Sequence, residues 1–345
     1  MTTSELNTSG VDRQLADMMD AVFADYRDTH PPTGPICRDT ELWSRLDQLG
    51  LVRLSGSTQT GGSGANWYEA AELMSAAVRH GVRAPLAEHD VLACWLLEAV
   101  GAPIDGAART ACTLDASGTA TAVPWASAAE KIVVIWRHKD IHLVADADCA
   151  DLRITPSCNL IGEPRDTVSA DIAELNGLEM AADLLTELRL KSALVRSIQV
   201  CAALDKILEL CVEHTCARTQ FGRPLSKFQA IQHLIADIAA EAALARAATE
   251  TALAAAIGSG WSAPNLGFLV AVARSCAGHA TSVAVRNGHQ ALGAIGTTIE
   301  HRLHEYTRAA LAWRSEFGSV RHWDEEVTRE ALAAGAAGLW SLITD

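Results

Sequence analysis

Apolar residues recur with helical spacing through the first hundred positions. In the segment 67–80 they fall at i, i+1, i+4 and i+7, which is one face of a helix: Ala70, Ala71, Met74 and Ala77. Similar spacing runs through 13–26, 40–49 and 89–100. Proline and glycine pairs between these stretches are typical of loops. We predict an N-terminal helical domain over residues 1–106.

The period of the pattern changes between residues 107 and 180. The segments 131–136 and 141–144 are apolar and β-branched, and the polar residues between them indicate a hairpin. Two further strands are expected at 111–114 and 120–123. The residues Glu163, Pro164, Arg165 and Asp166 are expected to form a turn before the next domain. We predict a small β domain over 107–180.

Long helices fill the remainder of the chain. No glycine or proline interrupts 184–216, and further helices are expected from about Ser226, over 266–292, over 300–314 and over 325–342. Long helices joined by short loops form bundles, so a helical-bundle domain is predicted over 181–345. Helices followed by a small sheet and then by a bundle indicate the α+β class. No GxGxxG follows a strand, which argues against a dinucleotide fold of the alternating type.

Composition narrows the possible functions. The chain has 345 residues, of which 49% are hydrophobic and 20% charged, so a large core is expected and disorder is not. The net charge of −14 argues against nucleic-acid binding, and an anionic ligand would need a local group of arginines. The nine cysteines are odd in number and include no CxxC, which favours reduced thiols.

The location in the cell is expected to be the cytoplasm. The first twenty residues are polar and acidic and do not resemble a secretory leader. The apolar stretch 266–273 stops at Arg274, far short of the about 20 residues that span a bilayer, so no membrane association is predicted.

Three minor features have a functional and a structural interpretation. The glycine run 56–64 lacks the Lys-Ser/Thr ending of a P-loop, so a flexible loop is favoured over a phosphate cradle. His301 and His304 are three apart but lack a third metal ligand nearby, so we predict solvated histidines and no metal site. Cys211 and Cys216 flank His214 and are interpreted as ordinary thiols.

The segment 217–232 (ARTQFGRPLSKFQAIQ) lies between two predicted helices. Arg218 and Arg223 flank a turn, and Phe221 offers a flat apolar face. Guanidinium groups suit phosphate because they combine charge with two parallel hydrogen bonds, and an aromatic ring can pack against a purine. The alternative is a helix–helix corner with solvated arginines.

This segment resembles the flavin signature of the acyl-CoA dehydrogenase family, Arg-x-x-Phe-Gly-x-x-x-x-x-x-Gln. A second segment, 290–301 (QALGAIGTTIEH), resembles the Gln-x-x-Gly-Gly-x-Gly-[TY]-x-x-Glu segment of the same family. The resemblance is close over 181–319 and loose over the whole chain. It implies an N-terminal helical domain, a β domain, a C-terminal four-helix bundle, and flavin adenine dinucleotide (FAD) as cofactor.

The resemblance also implies residue roles. Arg218 and Gln220 would contact the pyrophosphate of FAD, and Phe221 would pack by its adenosine part. Gln290 and the backbone from Gly293 to Gly296 would reach the cofactor of a partner subunit. A Trp-x-Ser/Thr segment of the β domain touches the flavin ring in the family, and Ser127 could take that place, although its context could equally be a strand edge. The complete set of predicted FAD contacts is Arg218, Gln220, Phe221, Gln229, Gln290, Gly293, Gly296 and Ser127.

The family removes the α proton of an acyl-CoA thioester with a carboxylate and passes the β hydrogen to the flavin as hydride. The matching segment here is 313–319 (WRSEFGS), where an ungapped count places Phe317 at the position of the base and Glu316 one residue earlier. The other family position of the base falls on Ser192. Glu316 is therefore the predicted catalytic residue. The alternatives are an exposed acid paired with Arg314, or no base in this chain.

The β domain departs from the family pattern. It is short and lacks the family's Thr-Glu-x-x-x-Gly-Ser-Asp stretch. This departure resembles the short subunit of actinobacterial α2β2 enzymes, which assemble with a related chain. The resemblance implies an electron-transfer acceptor and, as substrate, a bulky acyl-CoA such as a steroid side-chain thioester. Self-association of this chain is the alternative to a related partner chain. A non-catalytic subunit that completes a partner's flavin site is the alternative function. An acyltransferase or hydrolase is disfavoured because no Gly-x-Ser-x-Gly elbow is present.

Overall fold

The computed structural model describes residues 10–30 and 36–344. The N-terminal helices are α1 (Arg13–Thr29), α2 (Thr40–Gln48), α3 (Trp67–His80) and α4 (Trp95–Ala99). Side chains cap three of them at the N-terminus, since Asp12, Asp39 and Asn66 each accept backbone N–H bonds from the first turn. The predicted helices are confirmed, except that the stretch before α4 is a π-helix over Glu88–Cys94.

The middle of the chain forms two small sheets. The strands are β1 (Arg109–Thr113), β2 (Thr119–Pro124), β3 (Lys131–His138), β4 (Ile141–Asp148), β5 (Arg153–Thr155), β6 (Arg165–Ser169) and β7 (Leu178–Met180). One sheet has the order β1-β3-β4-β7 and the other β2-β6-β5. The predicted hairpin is confirmed as β3 and β4, which pair antiparallel over their full length. Trp136 is fully buried in the core of this region.

The predicted turn over residues 163–166 is wrong for its second half. Arg165 and Asp166 begin β6 and are buried. The carboxylate of Asp166 accepts the backbone N–H groups of Ser127, at 2.7 Å, and Ser157, at 3.0 Å. An acid that ties two loops together can be buried in a strand, which residue type alone does not reveal.

The C-terminal helices are α5 (Ala182–Ala217), α6 (Gln229–Ser259), α7 (Leu266–Leu292), α8 (Leu303–Trp313) and α9 (Val320–Thr344), which is kinked at Gly335. Between α5 and α6 lie the short strands β8 (Thr219–Gln220) and β9 (Arg223–Pro224). The helix expected from about Ser226 begins at Gln229, after a 3-10 turn. The predicted α+β class is confirmed.

The chain divides into two compact units, of which the first ends at Lys191 and the second begins at Ser192, inside α5. The first contains the N-terminal helices and both sheets; the second contains most of the bundle. The boundaries predicted at 106 and 180 coincide with changes in the type of element, because β1 begins after α4 and α5 follows β7. The three-domain division itself stays a prediction.

Helix α7 is long and apolar enough to cross a membrane. The candidate segment is Leu266–Thr297, and most of its apolar stretch is buried within the protein. Core helices of bundles have the same character, and Arg274 in its middle is 1% exposed. The packing of α7 is that of a core helix.

Candidate functional site

A tight hairpin follows α5 and carries most of the flavin-like signature. Strands β8 and β9 are joined by Phe221 (φ 51°) and Gly222 (φ 78°). Two central residues with positive φ are typical of the type I′ turn, which explains the glycine. Phe221 has no such freedom, yet it adopts this backbone and leaves its side chain 91% exposed. The hairpin therefore presents an uncovered aromatic ring beside the exposed side chains of Arg218 and Gln220.

The second signature segment lies at the end of α7. Gln290 is exposed there, and the helix ends at Gly293, whose φ of 66° favours glycine. Gly296 is buried, and a Cβ on it would lie 3.0 Å from Leu292 Cβ and 3.1 Å from a methyl group of Leu303. One glycine is thus required by the backbone and the other by packing.

A histidine contact joins the two segments within the C-terminal unit. The rings of His214, on the last turn of α5, and His301 meet edge to face with centroids 5.6 Å apart. Burial and the nearby Arg218 charge lower the pKa of His214, while burial and His214 lower the pKa of His301. Both rings are therefore neutral at pH 7, and the guanidinium of Arg218 supplies the positive charge at this corner.

The predicted adenosine and pyrophosphate contacts are accessible. Arg218, Gln220, Phe221, Gln229 and Gln290 are all exposed. An arginine, carboxamide donors and an open aromatic ring match the chemistry of a pyrophosphate joined to a purine. The residues present therefore fit FAD.

Within residues 10–30 and 36–344, no group of three or more His, Cys, Asp or Glu side chains is arranged to hold a metal ion.

Glu316 lies in an ion pair. Its Oε2 accepts a hydrogen bond from Arg196 Nε at 2.7 Å; the Arg196 side chain is 1% exposed and that of Glu316 15%. The guanidinium of Arg196 also lies 5.1 Å from the ring of Phe317. The expected alternative partner, Arg314, instead donates to the hydroxyl of Ser282 at 2.8 Å. The catalytic role of Glu316 stays a prediction, and the structure shows its Oε2 engaged by a buried arginine.

The backbone around Glu316 is held by Arg274. Its Nη2 donates to the carbonyl oxygens of Arg314 at 3.0 Å and Glu316 at 2.7 Å. Burial and the neighbouring Arg196 lower the pKa of this guanidinium to about 10. The segment after α8 therefore has its orientation set by two buried arginines.

Ser127 lies in a turn of the N-terminal unit that follows β2. Trp125 begins this turn with φ 59° and is 3% exposed. The Ser127 N–H donates to Asp166, whereas the residue itself is exposed. The alternative for the context 123–125, a strand edge, agrees with the structure, because Val123 and Pro124 end β2, which is an edge strand of its sheet. A flavin contact of Ser127 stays a prediction.

The loop expected over the glycine run 56–64 is confirmed. Its donors already hold an internal acid, because Glu98 accepts the Ser57 N–H at 3.2 Å, the Thr60 hydroxyl and a guanidinium N–H of Arg53. These donors of the loop are therefore already used by a carboxylate of the chain itself.

Sequence reasoning missed a set of buried polar residues, which we call the polar cluster: Glu88, His89, Asp90 and Lys191. Each is at most 5% exposed. Burial and the Arg109 charge lower the pKa of His89 to about 3, and burial raises the pKa of Asp90 to about 6. Three successive polar residues in a stretch that is otherwise apolar were the available signal, but the sequence alone does not show that all three are buried.

Comparison with known proteins identifies the family. Residues 176–336 match the model of the acyl-CoA dehydrogenase C-terminal domain. The chain is 26% identical over 283 residues to acyl-CoA dehydrogenase IpdE2 of Mycobacterium tuberculosis, covering 79% of this chain and 80% of that protein. It is 27% identical over 302 residues to acyl-CoA dehydrogenase FadE34 of the same organism, of which it spans 41%.

Solved structures share the fold. The ChsE4-ChsE5 complex of Mycobacterium tuberculosis matches with a TM-score of 0.80 at 20% identity, covering 93% of this chain and 96% of that one. A glutaryl-CoA dehydrogenase of Mycobacterium smegmatis in complex with FADH2 matches with a TM-score of 0.75 at 13% identity, covering 94% and 96%. Residues 176–336 therefore form an acyl-CoA dehydrogenase C-terminal domain, and the chain as a whole is similar to acyl-CoA dehydrogenases in sequence and in fold. The resemblance stated from its two motifs is confirmed.

Proposed function

We propose that the chain is a subunit of an FAD-dependent acyl-CoA dehydrogenase and that a related partner chain supplies the catalytic base. The observation that carries this proposal is the ion pair between Glu316 and the buried Arg196. General-base catalysis needs an available carboxylate oxygen within hydrogen-bond reach of the substrate proton. In this chain Arg196 holds an oxygen of the acid that matches the family position most nearly.

The proposal gives this chain the flavin-contacting half of the site, where its sequence matches the family signature more fully than in the catalytic segment. Arg218 would neutralise charge on the pyrophosphate, and Phe221 would cover the adenine ring. Gln290 and the amides from Gly293 to Gly296 would donate to phosphate oxygens. When bound, FAD supplies the hydride acceptor for α,β-desaturation of the thioester. This chain's part is to bind and orient the cofactor.

Related structures support a partner chain and a bulky substrate. One neighbour is a complex of two named chains, ChsE4 and ChsE5, and another is the Tcur3481-Tcur3483 steroid ACAD, matched with a TM-score of 0.80 at 19% identity. We therefore propose a hetero-oligomer that acts on a bulky acyl-CoA, with an electron-transfer protein as acceptor, in the cytoplasm.

The first test is the visible absorbance of the chain, purified alone and after co-expression with a neighbouring dehydrogenase-like chain. Flavin absorbance that appears only with the partner supports a shared site. Stoichiometric flavin in the lone chain, bleached by an acyl-CoA, would instead show a self-sufficient dehydrogenase. Arg218→Gln should lower the flavin content of the assembled enzyme, whereas Arg246→Gln, an exposed arginine of α6 outside the signature, is the matched control.

The second test addresses the base. In the assembled enzyme, Glu316→Gln should leave the rate of acyl-CoA-dependent flavin reduction within a few fold of the wild type. Complete loss of that rate, with the flavin retained, would assign the base to this chain and overturn the proposal.

A further inference from the structure

The sequence contains two Asn-Gly pairs, and the fold places them in opposite surroundings. Asn176 and Gly177 lie in the segment 175–177, which is neither helix nor strand, and both are exposed. Asn287 and Gly288 lie inside α7, and both are buried. An asparagine before glycine is prone to lose its side-chain amide spontaneously, because glycine has no Cβ that shields its backbone nitrogen. The chain therefore holds one reactive candidate and one internal control.

The side chain of Asn176 is not fixed by the part of the chain that the structure describes. It is exposed and makes no hydrogen bond to residues 10–30 or 36–344. The residue lies between a turn over 172–174 and the first residue of β7, so it belongs to no helix and no strand ladder. Rotation of Asn176 toward the nitrogen of Gly177 therefore disrupts no regular backbone bonding.

The side chain of Asn287 is held in place. Its Nδ2 donates to the carbonyl oxygen of Leu234 at 3.3 Å and to Oδ2 of Asp237 at 3.4 Å. The N–H of Gly288 lies in the interior of α7, where helical bonding directs it along the helix axis toward the preceding turn. This second pair can react only after α7 opens locally.

The loss of the amide needs only the chain and water. The nitrogen of Gly177 attacks Cγ of Asn176, the new N–Cγ bond closes a succinimide ring, and the Cγ–Nδ2 bond breaks. The proton of the Gly177 N–H leaves with the side-chain nitrogen as ammonia. Water then opens the ring: attack at Cγ gives aspartate, and attack at the main-chain carbonyl gives isoaspartate, whose peptide bond runs through the side chain. No group is oxidised or reduced.

The structure leaves no space for the longer backbone of isoaspartate. A Cβ on Gly177 would lie 2.5 Å from Cη2 of Trp136 and 2.7 Å from the carbonyl oxygen of Val144. The next residue, Leu178, begins β7 and pairs with Val144 of β4. Isoaspartate adds a methylene group to the main chain directly before this close contact, so the strand that follows has to move.

We propose that Asn176 is a site of spontaneous deamidation and that its isoaspartate product separates β7 from β4. The residues involved all lie in the N-terminal unit. None of them is among the residues proposed for FAD, so the modification site goes beyond the proposed function.

The first experiment compares the two pairs in one sample. The full chain is incubated at mildly alkaline pH and digested with trypsin at mildly acidic pH, and the peptides 166–189 and 287–302 are followed by mass spectrometry. In the native chain, Asn176 should react at least about tenfold faster than Asn287. The reason is that α7 must first open, and about 1.4 kcal/mol of opening free energy already slows a reaction tenfold. In guanidinium chloride the two rates should become similar.

The second experiment tests the structural consequence. Isoaspartate in the aged chain is detected with a protein isoaspartyl methyltransferase, which methylates the carboxylate of this product, and hydrogen exchange is measured over Leu178–Met180. The aged wild type should lose protection in this strand. Asn176→Asp carries the new charge on an ordinary backbone and should keep the protection of the fresh chain. Asn176→Gln is the matched control, because its longer side chain closes the ring far more slowly, and it should not change with ageing.

Two results would overturn the proposal. One is an equal rate, or no reaction, at Asn176 and Asn287 in the native chain. The other is unchanged exchange over Leu178–Met180 in a chain that contains isoaspartate at position 176. Both experiments use the chain without flavin or acyl-CoA, so they do not depend on whether the dehydrogenase proposal holds.

Discussion

His89 and Asp90 are adjacent, and both are buried. The pKa of each is shifted from its ordinary value, and the two shifts change the pH dependence of stability in opposite directions. The pKa of His89 falls from 6.5 to about 3 because burial and Arg109 disfavour its charged form. The pKa of Asp90 rises from 3.8 to about 6 because burial disfavours the carboxylate. We predict that the separate variants His89→Asn and Asp90→Asn respond to acid in opposite directions.

The signs follow from proton binding by the folded and unfolded states. Between pH 6.5 and about 3, unfolded His89 binds a proton that the folded residue does not, so stability falls with falling pH. Between about pH 6 and 3.8, folded Asp90 binds a proton that the unfolded residue does not, so stability rises with falling pH. Each slope is about 1.4 kcal/mol per pH unit, and from pH 6 to 4 the two nearly cancel.

Each variant removes one of the two titrating groups and therefore one of the two opposing contributions to the pH dependence of stability. From pH 6 to pH 4, the free energy of unfolding relative to the wild type should rise by about 2–3 kcal/mol in His89→Asn and fall by about 2–3 kcal/mol in Asp90→Asn. His89 Nδ1 accepts a hydrogen bond from the backbone N–H of Arg109 at 3.0 Å. The amide oxygen of an Asn at position 89 can accept this hydrogen bond in its place. The assay is urea unfolding of the full chain in steps from pH 4 to 7. Parallel pH profiles for the two variants would refute the reasoning, because every other titrating group is common to them.

Three further predictions concern packing and thiol chemistry. Arg274→Met removes the donor from carbonyl groups after α8 and should lower the free energy of unfolding by about 1–3 kcal/mol, measured in urea. Gly278→Ala should lower the free energy of unfolding by about 1–3 kcal/mol, because the new Cβ would lie 2.6 Å from a methyl group of Val320. The control on the same helix is Gly267→Ala, whose new Cβ would have no atom within 4 Å, and it should not lower the free energy of unfolding. Alkylation of the native chain, followed by peptide mass spectrometry, should modify the exposed cysteines first. It should spare the buried cysteines, because burial raises the pKa of their thiols to about 12. Modification of the buried and exposed cysteines at equal rates would contradict this prediction. The exposed group is Cys37, Cys158 and Cys216, and the spared group is Cys94, Cys112, Cys201 and Cys211.

Local patterns were enough to predict most elements of this fold. Helices with a regular apolar stripe, such as α3, and the hairpin of β3 and β4 follow from period and turn composition. The short strands β5 and β7 span three residues each, which is too few for a period to be visible. Strand β6 was hidden by its polar residues, because Asp166 is buried only through its bonds to two loops.

The chemistry of the candidate site was predicted less completely, for a different reason. The motif residues around Arg218 and Gln290 are contiguous in sequence, so a family pattern finds them. The partner of Glu316 is Arg196, 120 positions away, and nothing in either segment indicates their pairing. The polar cluster likewise depends on Lys191 meeting a helix about one hundred residues earlier. Long-range pairs of charged residues need the tertiary structure.

Phe221 has two unfavourable features at once, a left-handed backbone conformation and an aromatic side chain that is 91% exposed. Neither contributes to the stability of the isolated subunit, and replacement by Asn or Gly would relieve both. Selection for heat resistance in a laboratory library should therefore discard this side chain early. Selection for a working flavoenzyme should retain it. Opposite outcomes of the two selections at position 221 would show that the aromatic side chain is needed for activity and is not needed for folding.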